Sequence, residues 1–274
     1  MKRILMVCDG KQLPQGAFPL LKMLQQSEPV TVRALFFTRV DYDKLIAVGY
    51  SPSIEPYMQV EKEERLEVQQ GREKFIQLCE SHHIPFEVQD EGREWDRAVL
   101  ARESRFADLM LISAQSFAIN MGEEQPNPFT MEALRSAECP AILIPESFTG
   151  FKKIVVAYDG GKECMYALRQ FCYLFPQFTE FPTEIIYVKN EKDEHVPEIE
   201  LLKRYSRMKF SSSNIEKLHF DPSKYFAEWL REQEDIFLIS GSFGRSGFSN
   251  AIRSSFVTDV IHEHVAPVFV AHSN

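Results

Sequence analysis

The chain has 274 residues, enough for two domains of ordinary size, and its 44% hydrophobic and 26% charged content is that of a globular protein. A net charge of −9 without a run of lysine or arginine argues against a nucleic-acid-binding face, and no apolar stretch approaches the roughly 20 residues that span a bilayer. Five cysteines, odd in number and without CxxC spacing, exclude a zinc or disulfide framework and point to a reducing cytoplasm.

The chain starts with a basic dipeptide, but the apolar run Ile4 to Val7 is too short for the core of a signal peptide and reads as a first strand. Further strands are predicted at 30–37, 84–88, 108–113 and 140–144. Helical apolar spacing falls on 16–26 and 60–81, and 95–106 is a further helix candidate. The stretch 41–57 holds Gly49, Pro52 and Pro56 and reads as a loop. After the short linker Ser147 to Phe151, strands are predicted at 153–157, 183–188, 215–219, 235–240 and 267–271. Helices are predicted at 162–175, 196–209, 222–233 and 254–264.

This order repeats. Arg3 to Gly10 reads like Lys153 to Gly160, each an apolar strand ending in Asp-Gly, 150 residues apart. Ala107 to Ala114 matches Glu234 to Gly241 at an offset of 127, and that offset holds through Pro140 and Pro267. The chain is therefore two copies of one unit, 1–147 and 151–274, and the first is 23 residues longer in its middle. Short apolar runs alternating with helices predict an α/β fold. Each unit is expected to be a five-stranded, mostly parallel sheet with helices on both faces, a Rossmann-like arrangement. Ligands on such sheets bind beyond the carboxyl ends of the strands, where Asp9, Asp159 and the stretch after Ser240 are placed.

The stretch from Phe237 to Ile261 carries the clearest chemical signal. A buried-strand run is followed by Gly241, Gly244 and Gly247, and then by Ser254 and Ser255 at the start of a helical pattern. Glycines let backbone N–H groups approach an anion, and a helix start offers unpaired N–H donors, so this arrangement can hold a phosphate. The alternative is a glycine-rich turn that only redirects the chain. Arg245 and Arg253 flank the loop and either neutralise phosphate charge or are solvated surface residues.

These residues resemble the universal stress protein family in its tandem two-domain form. The likeness covers nearly the whole chain. The family's nucleotide signature, G-x2-G-x9-G-[ST] after the fourth strand, is similar to Gly241, Gly244, Ser254 and Ser255 at the same spacing, with Ser254 standing in for the third glycine. The resemblance places Asp159 near an adenine, the Val188 backbone against it, and Gly241, Gly244 and Ser255 along the phosphates and ribose. It implies ATP, with Mg2+, as the ligand of an adenine-nucleotide alpha hydrolase-like fold. It implies a sensor or regulatory role with slow ATP hydrolysis at most. It also implies that Ala141–Ile144 and Val268–Ala271 pair across a pseudo-twofold, giving an internal dimer able to form a homodimer.

In the first unit the aligned positions are Ala114, Phe117, Asn127 and Pro128, so the glycines are gone, and Glu123 and Glu124 would repel phosphate. The first unit is expected not to hold ATP through this loop. A second reading keeps the fold and drops the nucleotide, leaving a dimerisation or partner-docking module. A third notes that Asp159-Gly-Gly-Lys-Glu-Cys164 resembles the SGG-x-DS loop of ATP pyrophosphatases, but with an acid at the phosphate cradle. The GxxxxGK[ST] and G-x-S-x-G motifs are absent, which speaks against a P-loop enzyme and a hydrolase elbow. His262 and His264 are two apart on a predicted helix and so point to different faces, and with His82 and His83 they read as surface histidines. Cys164 is the more exposed cysteine candidate, Cys8 and Cys139 are core residues, and Tyr158 and Phe243 either pack or stack on an adenine.

Overall fold

The computed structural model describes residues 1–9, 13–38, 55–88, 93–94, 96–113, 115, 128–188, 195–241 and 266–272. One continuous sheet runs through the chain. Its strands are β1 (Lys2–Asp9), β2 (Val30–Thr38), β3 (Phe86–Val88), β4 (Arg93–Glu94), β5 (Leu109–Ser113) and β6 (Ala141–Ile144) from the first half. The second half supplies β7 (Lys153–Tyr158), β8 (Thr183–Val188), β9 (Ser213–Leu218), β10 (Ile236–Ser240) and β11 (Val268–Val270). The spatial order is β3-β2-β1-β5-β6-β11-β10-β7-β8-β9, with the short β4 pairing beside β2. Each half thus repeats one doubly wound order, with its first strand at the centre.

All pairings are parallel except the seam, where β6 meets β11 antiparallel, with Leu143 opposite Val268, Ile142 opposite Phe269 and Ala141 opposite Val270. That is the pairing of final strands implied by the family resemblance, and it covers the edge that each half would otherwise expose.

The central strands are near-continuous apolar runs because helices bury both of their faces. Along β1, Ile4, Met6 and Cys8 face one core layer, and Leu5 and Val7 face the other. The first layer is closed by α1 (Ala17–Gln25), α2 (Glu55–Ser81), α5 (Lys162–Leu174) and α6 (Ile199–Lys209). The second is closed by α3 (Arg97–Ser104), α4 (Pro128–Ser136) and α7 (Pro222–Arg231). Asp96 starts α3 as its side chain accepts from the Ala98 and Val99 amides, a normal N-cap. Both layers take residues from both halves, so the seam is part of the core.

Some sequence expectations shift, and neither α4 nor the short β4 was read from the sequence. The α2 helix begins at Glu55, five residues before the expected start, and takes Pro56 into its first turn, where proline's missing N–H is no loss. A short 3-10 turn, Pro176–Glu180, follows α5 and was not read from the sequence. It carries Phe178 into an aromatic cluster with Phe151 from the linker, 5.1 Å away, and Phe175, 5.4 Å away. The helix expected at 254–264 and most of the loop expected at 41–57 lie outside the described residues.

Candidate functional site

Three neighbouring parallel strands of the second half end side by side. The register sets Ser240 of β10 beside Ala157 of β7, and Tyr158 of β7 beside Tyr187 of β8. Gly241, Asp159 and Val188 therefore follow one another along one edge of the sheet. Chain order reverses between β7 and β10, because β8 lies on one side of β7 and β10 on the other. In doubly wound sheets this is where a crevice opens between the connections. Asp159 and Gly241 stand on either side of it. Gly244, Arg253, Ser254 and Ser255, with Arg245, Phe243, His262 and His264, lie outside the described residues.

The Asp159 carboxylate is exposed and organises its own turn: Oδ1 accepts from the Gly161 amide at 2.7 Å. Gly160 then adopts φ +80°, in the left-handed region that favours glycine, and a Cβ there would lie 2.7 Å from the Pro197 ring. Gly161 precedes the first turn of α5 with extended backbone and provides no side-chain cap. The start of α5 thus presents amide donors beside a carboxylate. Oδ2 of Asp159 accepts no hydrogen bond among the described residues, so it is available to an amino group or a hydroxyl. The acid occupies the loop amide that the pyrophosphatase comparison would give to a phosphate.

Gly241 has a different neighbour from the one its motif implies. A Cβ at Gly241 would sit 2.8 Å from the Cys164 amide nitrogen, 3.1 Å from the Cys164 Cα and 3.2 Å from the Glu163 carbonyl carbon. Close approach of β10 to α5 therefore requires glycine here without any ligand.

Tyr158 is buried in the first core layer, and its hydroxyl donates to the Pro197 carbonyl at 3.0 Å. Packing, not adenine stacking, accounts for it. This bond holds the segment before α6 over the end of β7, and Glu198 in that segment has φ +50°. Nothing in the sequence pattern pointed to Pro197, which lies over Gly160, the first glycine of Asp-Gly-Gly. Val188 is half-buried at the end of β8.

Cys164 is not the exposed cysteine of the sequence reading. It is buried, its thiol donates to the Ala157 carbonyl at 3.1 Å, and burial pushes its pKa up to about 12. The same cause raises Cys79 and Cys139 to about 12. None of these is an activated thiol. His82 stacks on Phe18, with ring centroids 5.8 Å apart, and His83 ends α2 with φ +56°. Among the described residues no three His, Cys, Asp or Glu side chains converge as a metal site, and no helix is long and apolar enough to cross a membrane.

The first half fills the matching place with its own acid. Glu146, just past β6, accepts from the Gln15 amide through Oε2 at 2.8 Å and from the Ser113 hydroxyl through Oε1. Its own amide donates to Gln115 Oε1 at 3.2 Å. Gly16 is pressed so closely on the end of β6 that a Cβ would meet the Pro145 carbonyl oxygen at 2.0 Å. Asp9, the counterpart of Asp159, is buried. A carboxylate thus faces the amide just before α1, in the half whose loop has lost its glycines.

No family model matches the sequence, and no curated protein matches it. The fold has close counterparts among solved structures. A universal stress protein from Archaeoglobus fulgidus DSM 4304 superposes with a TM-score of 0.70 at 16% identity, over 98% of this chain and 96% of that one. A candidate universal stress protein from Pseudomonas aeruginosa UCBPP-PA14 gives 0.56 at 14% identity, over 98% and 92%. A functionally unknown protein from Pseudomonas aeruginosa PAO1 gives 0.55 at 14% identity, over the same shares. These similarities run the length of the chain and include both halves of the sheet. The chain has the universal stress protein fold in its tandem form.

Proposed function

We propose that the chain is a two-unit regulatory protein of the stress response, units 1–147 and 151–274, whose second unit binds ATP or a related adenine nucleotide with Mg2+. The observation that carries this reading is the alignment of Asp159, Val188 and Gly241 on three adjacent strand ends, at the point where strand order reverses. Asp159 Oδ2 is the acceptor for the amino group of an adenine, and the Val188 backbone supplies the complementary edge. The phosphates would run toward the loop that carries Gly244, Arg253, Ser254 and Ser255. Binding without turnover fits a site with an acid at its adenine end and buried, unactivated cysteines. The first unit carries Glu146 where an anion would come and is the silent partner. Five cysteines without a disulfide suit a reducing cytoplasm.

A second reading draws on Gly241, whose packing against α5 accounts for its glycine without a ligand. In that reading the fold serves partner docking and the nucleotide has been lost. Hydrogen exchange with and without Mg·ATP separates the two. Slowed exchange at residues 158–161, 188 and 240–241, with residues 114–128 unchanged, is the result expected. Unchanged exchange throughout supports the docking module, and protection confined to residues 114–128 removes the assignment to the second unit.

A further inference from the structure

The outer side of α1 forms one wall of a cavity in the first half, built from other elements than the strand ends of the second. The cavity holds about 500 Å³, within the range of small-molecule sites. Its apolar surface comes from Phe18, Pro19 and Met23 of α1 and Leu78 of α2. His82, just past α2, also lines it and stacks on Phe18, with ring centroids 5.8 Å apart and planes 29° apart. Pro19, Lys22, Met23 and Gln26 follow i, i+3, i+4, i+7 spacing, so Lys22 and Gln26 stand beside the apolar surface. Thr149 of the linker completes the lining. Close packing of the linker on the start of α1 fixes this corner: a Cβ at Gly16 would lie 3.2 Å from the Phe148 Cβ, and the Gln15 amide donates to Glu146 at 2.8 Å. Three segments distant in the chain thus meet around one cavity.

Charge decides what this cavity takes. Lys22 is the one charged residue of α1, and it is exposed. Among the described residues no carboxylate lines the cavity, and Lys22 has no acid partner. Glu146, which touches the Gln15 amide, is engaged through both oxygens, one on that amide and one on the Ser113 hydroxyl. A lone cation at the side of an apolar surface is matched by one anionic group on an apolar body. We propose that the cavity binds a small organic monocarboxylate. Its apolar body lies against Phe18, Met23 and Leu78, and its carboxylate meets Lys22, with the Gln26 amide as a further donor. A triphosphate carries more charge than one lysine answers, so this ligand differs from the nucleotide assigned to the second unit, and the inference does not depend on that assignment.

Calorimetric titration of 2-naphthoate into the full chain tests it, with the uncharged 2-naphthalenemethanol as control. The wild type is expected to bind 2-naphthoate at one site and the alcohol about tenfold or more weakly, the margin of a charge-assisted hydrogen bond. Lys22→Met keeps the apolar part of the side chain and removes the charge, and is expected to bind the two probes alike. Lys22→Glu reverses the charge and is expected to lose 2-naphthoate while keeping the alcohol. Lys22 is exposed, and circular dichroism checks the fold of both variants. Saturating Mg·ATP is expected to leave 2-naphthoate binding unchanged. Absence of 2-naphthoate binding to the folded wild type, a preference for the carboxylate that survives either substitution, or displacement by Mg·ATP would each overturn the inference.

Discussion

Replacing Gly241 by alanine separates a packing role from a ligand role. The added Cβ would lie 2.8 Å from the Cys164 amide nitrogen, a backbone atom at the start of α5. To reach an ordinary contact of 3.4 Å, strand and helix must part by about 0.6 Å. Overpacking of this kind costs about 1–3 kcal/mol. The φ of Gly241 lies outside the left-handed region, so alanine is sterically admitted by its own backbone and regains roughly 0.4–1 kcal/mol through the unfolded chain. The net expectation is a loss of about 1–2 kcal/mol. At ~2–4 °C per kcal/mol, melting followed by circular dichroism without nucleotide should fall by roughly 2–8 °C. A variant of wild-type stability would refute the contact. If the same variant also lost ATP binding, the glycine would belong to the ligand and not to the helix.

Three further outcomes are expected. Gly160→Ala combines a left-handed φ of +80° with a Cβ 2.7 Å from Pro197, and should cost about 1–3 kcal/mol in urea unfolding; an unchanged midpoint would contradict the turn geometry. Phe171→Ala empties the centre of a ring cluster, since Phe175, Phe237 and Phe269 lie 5.3, 5.6 and 5.4 Å from it, and should cost about 3–5 kcal/mol by the same assay. Alkali should destabilise the fold through its cysteines. Burial raises Cys139 and Cys164 to about 12. In the unfolded chain the thiols titrate near ~8.5. Below that pH both states are protonated and nothing changes. Above it the unfolded chain loses protons that the fold retains, so stability falls toward pH 12, by about 1.4 kcal/mol per unit for each such cysteine. Urea unfolding at pH 7.5 and 9.5 should show the loss, and Cys164→Ala should reduce it; a flat profile would contradict the burial of these thiols.

Much of this architecture was legible in the residues. Strands such as Arg3 to Cys8 and Thr183 to Val188 are apolar runs bounded by turns, and the two offsets exposed the repeat before any pairing was known. The antiparallel seam was not a product of local pattern. It came from the family resemblance, because antiparallel pairing of Ile142 with Phe269 is a contact between distant segments. Local breaker signals misled at Pro56, which was counted with the loop although a helix accepts proline in its first turn. The site was legible at the level of strand ends. Asp159, Val188 and Gly241 do come together, yet two of the three have partners within the fold that no motif encodes. Gly241 answers to Cys164, which is 77 residues earlier in the chain, and the Asp159 carboxylate answers to the amide of Gly161. Cys164 looked accessible because it follows a strand end, but the helix that begins there turns it inward against Ala157. The acid plug of the first half was hidden for the same reason, since Glu146 and Ser113 meet only in the folded chain.

The measurement that bears most directly on the function is a calorimetric titration of ATP with Mg2+ into the wild type and into Gly244→Asp. The substitution puts a side chain and a negative charge into the loop assigned to the phosphates. One site per chain in the wild type, lost in the variant while the fold is retained, is the predicted result. Absence of binding to the folded wild type, or equal binding to both proteins, would contradict the assignment of the nucleotide to the second unit's loop.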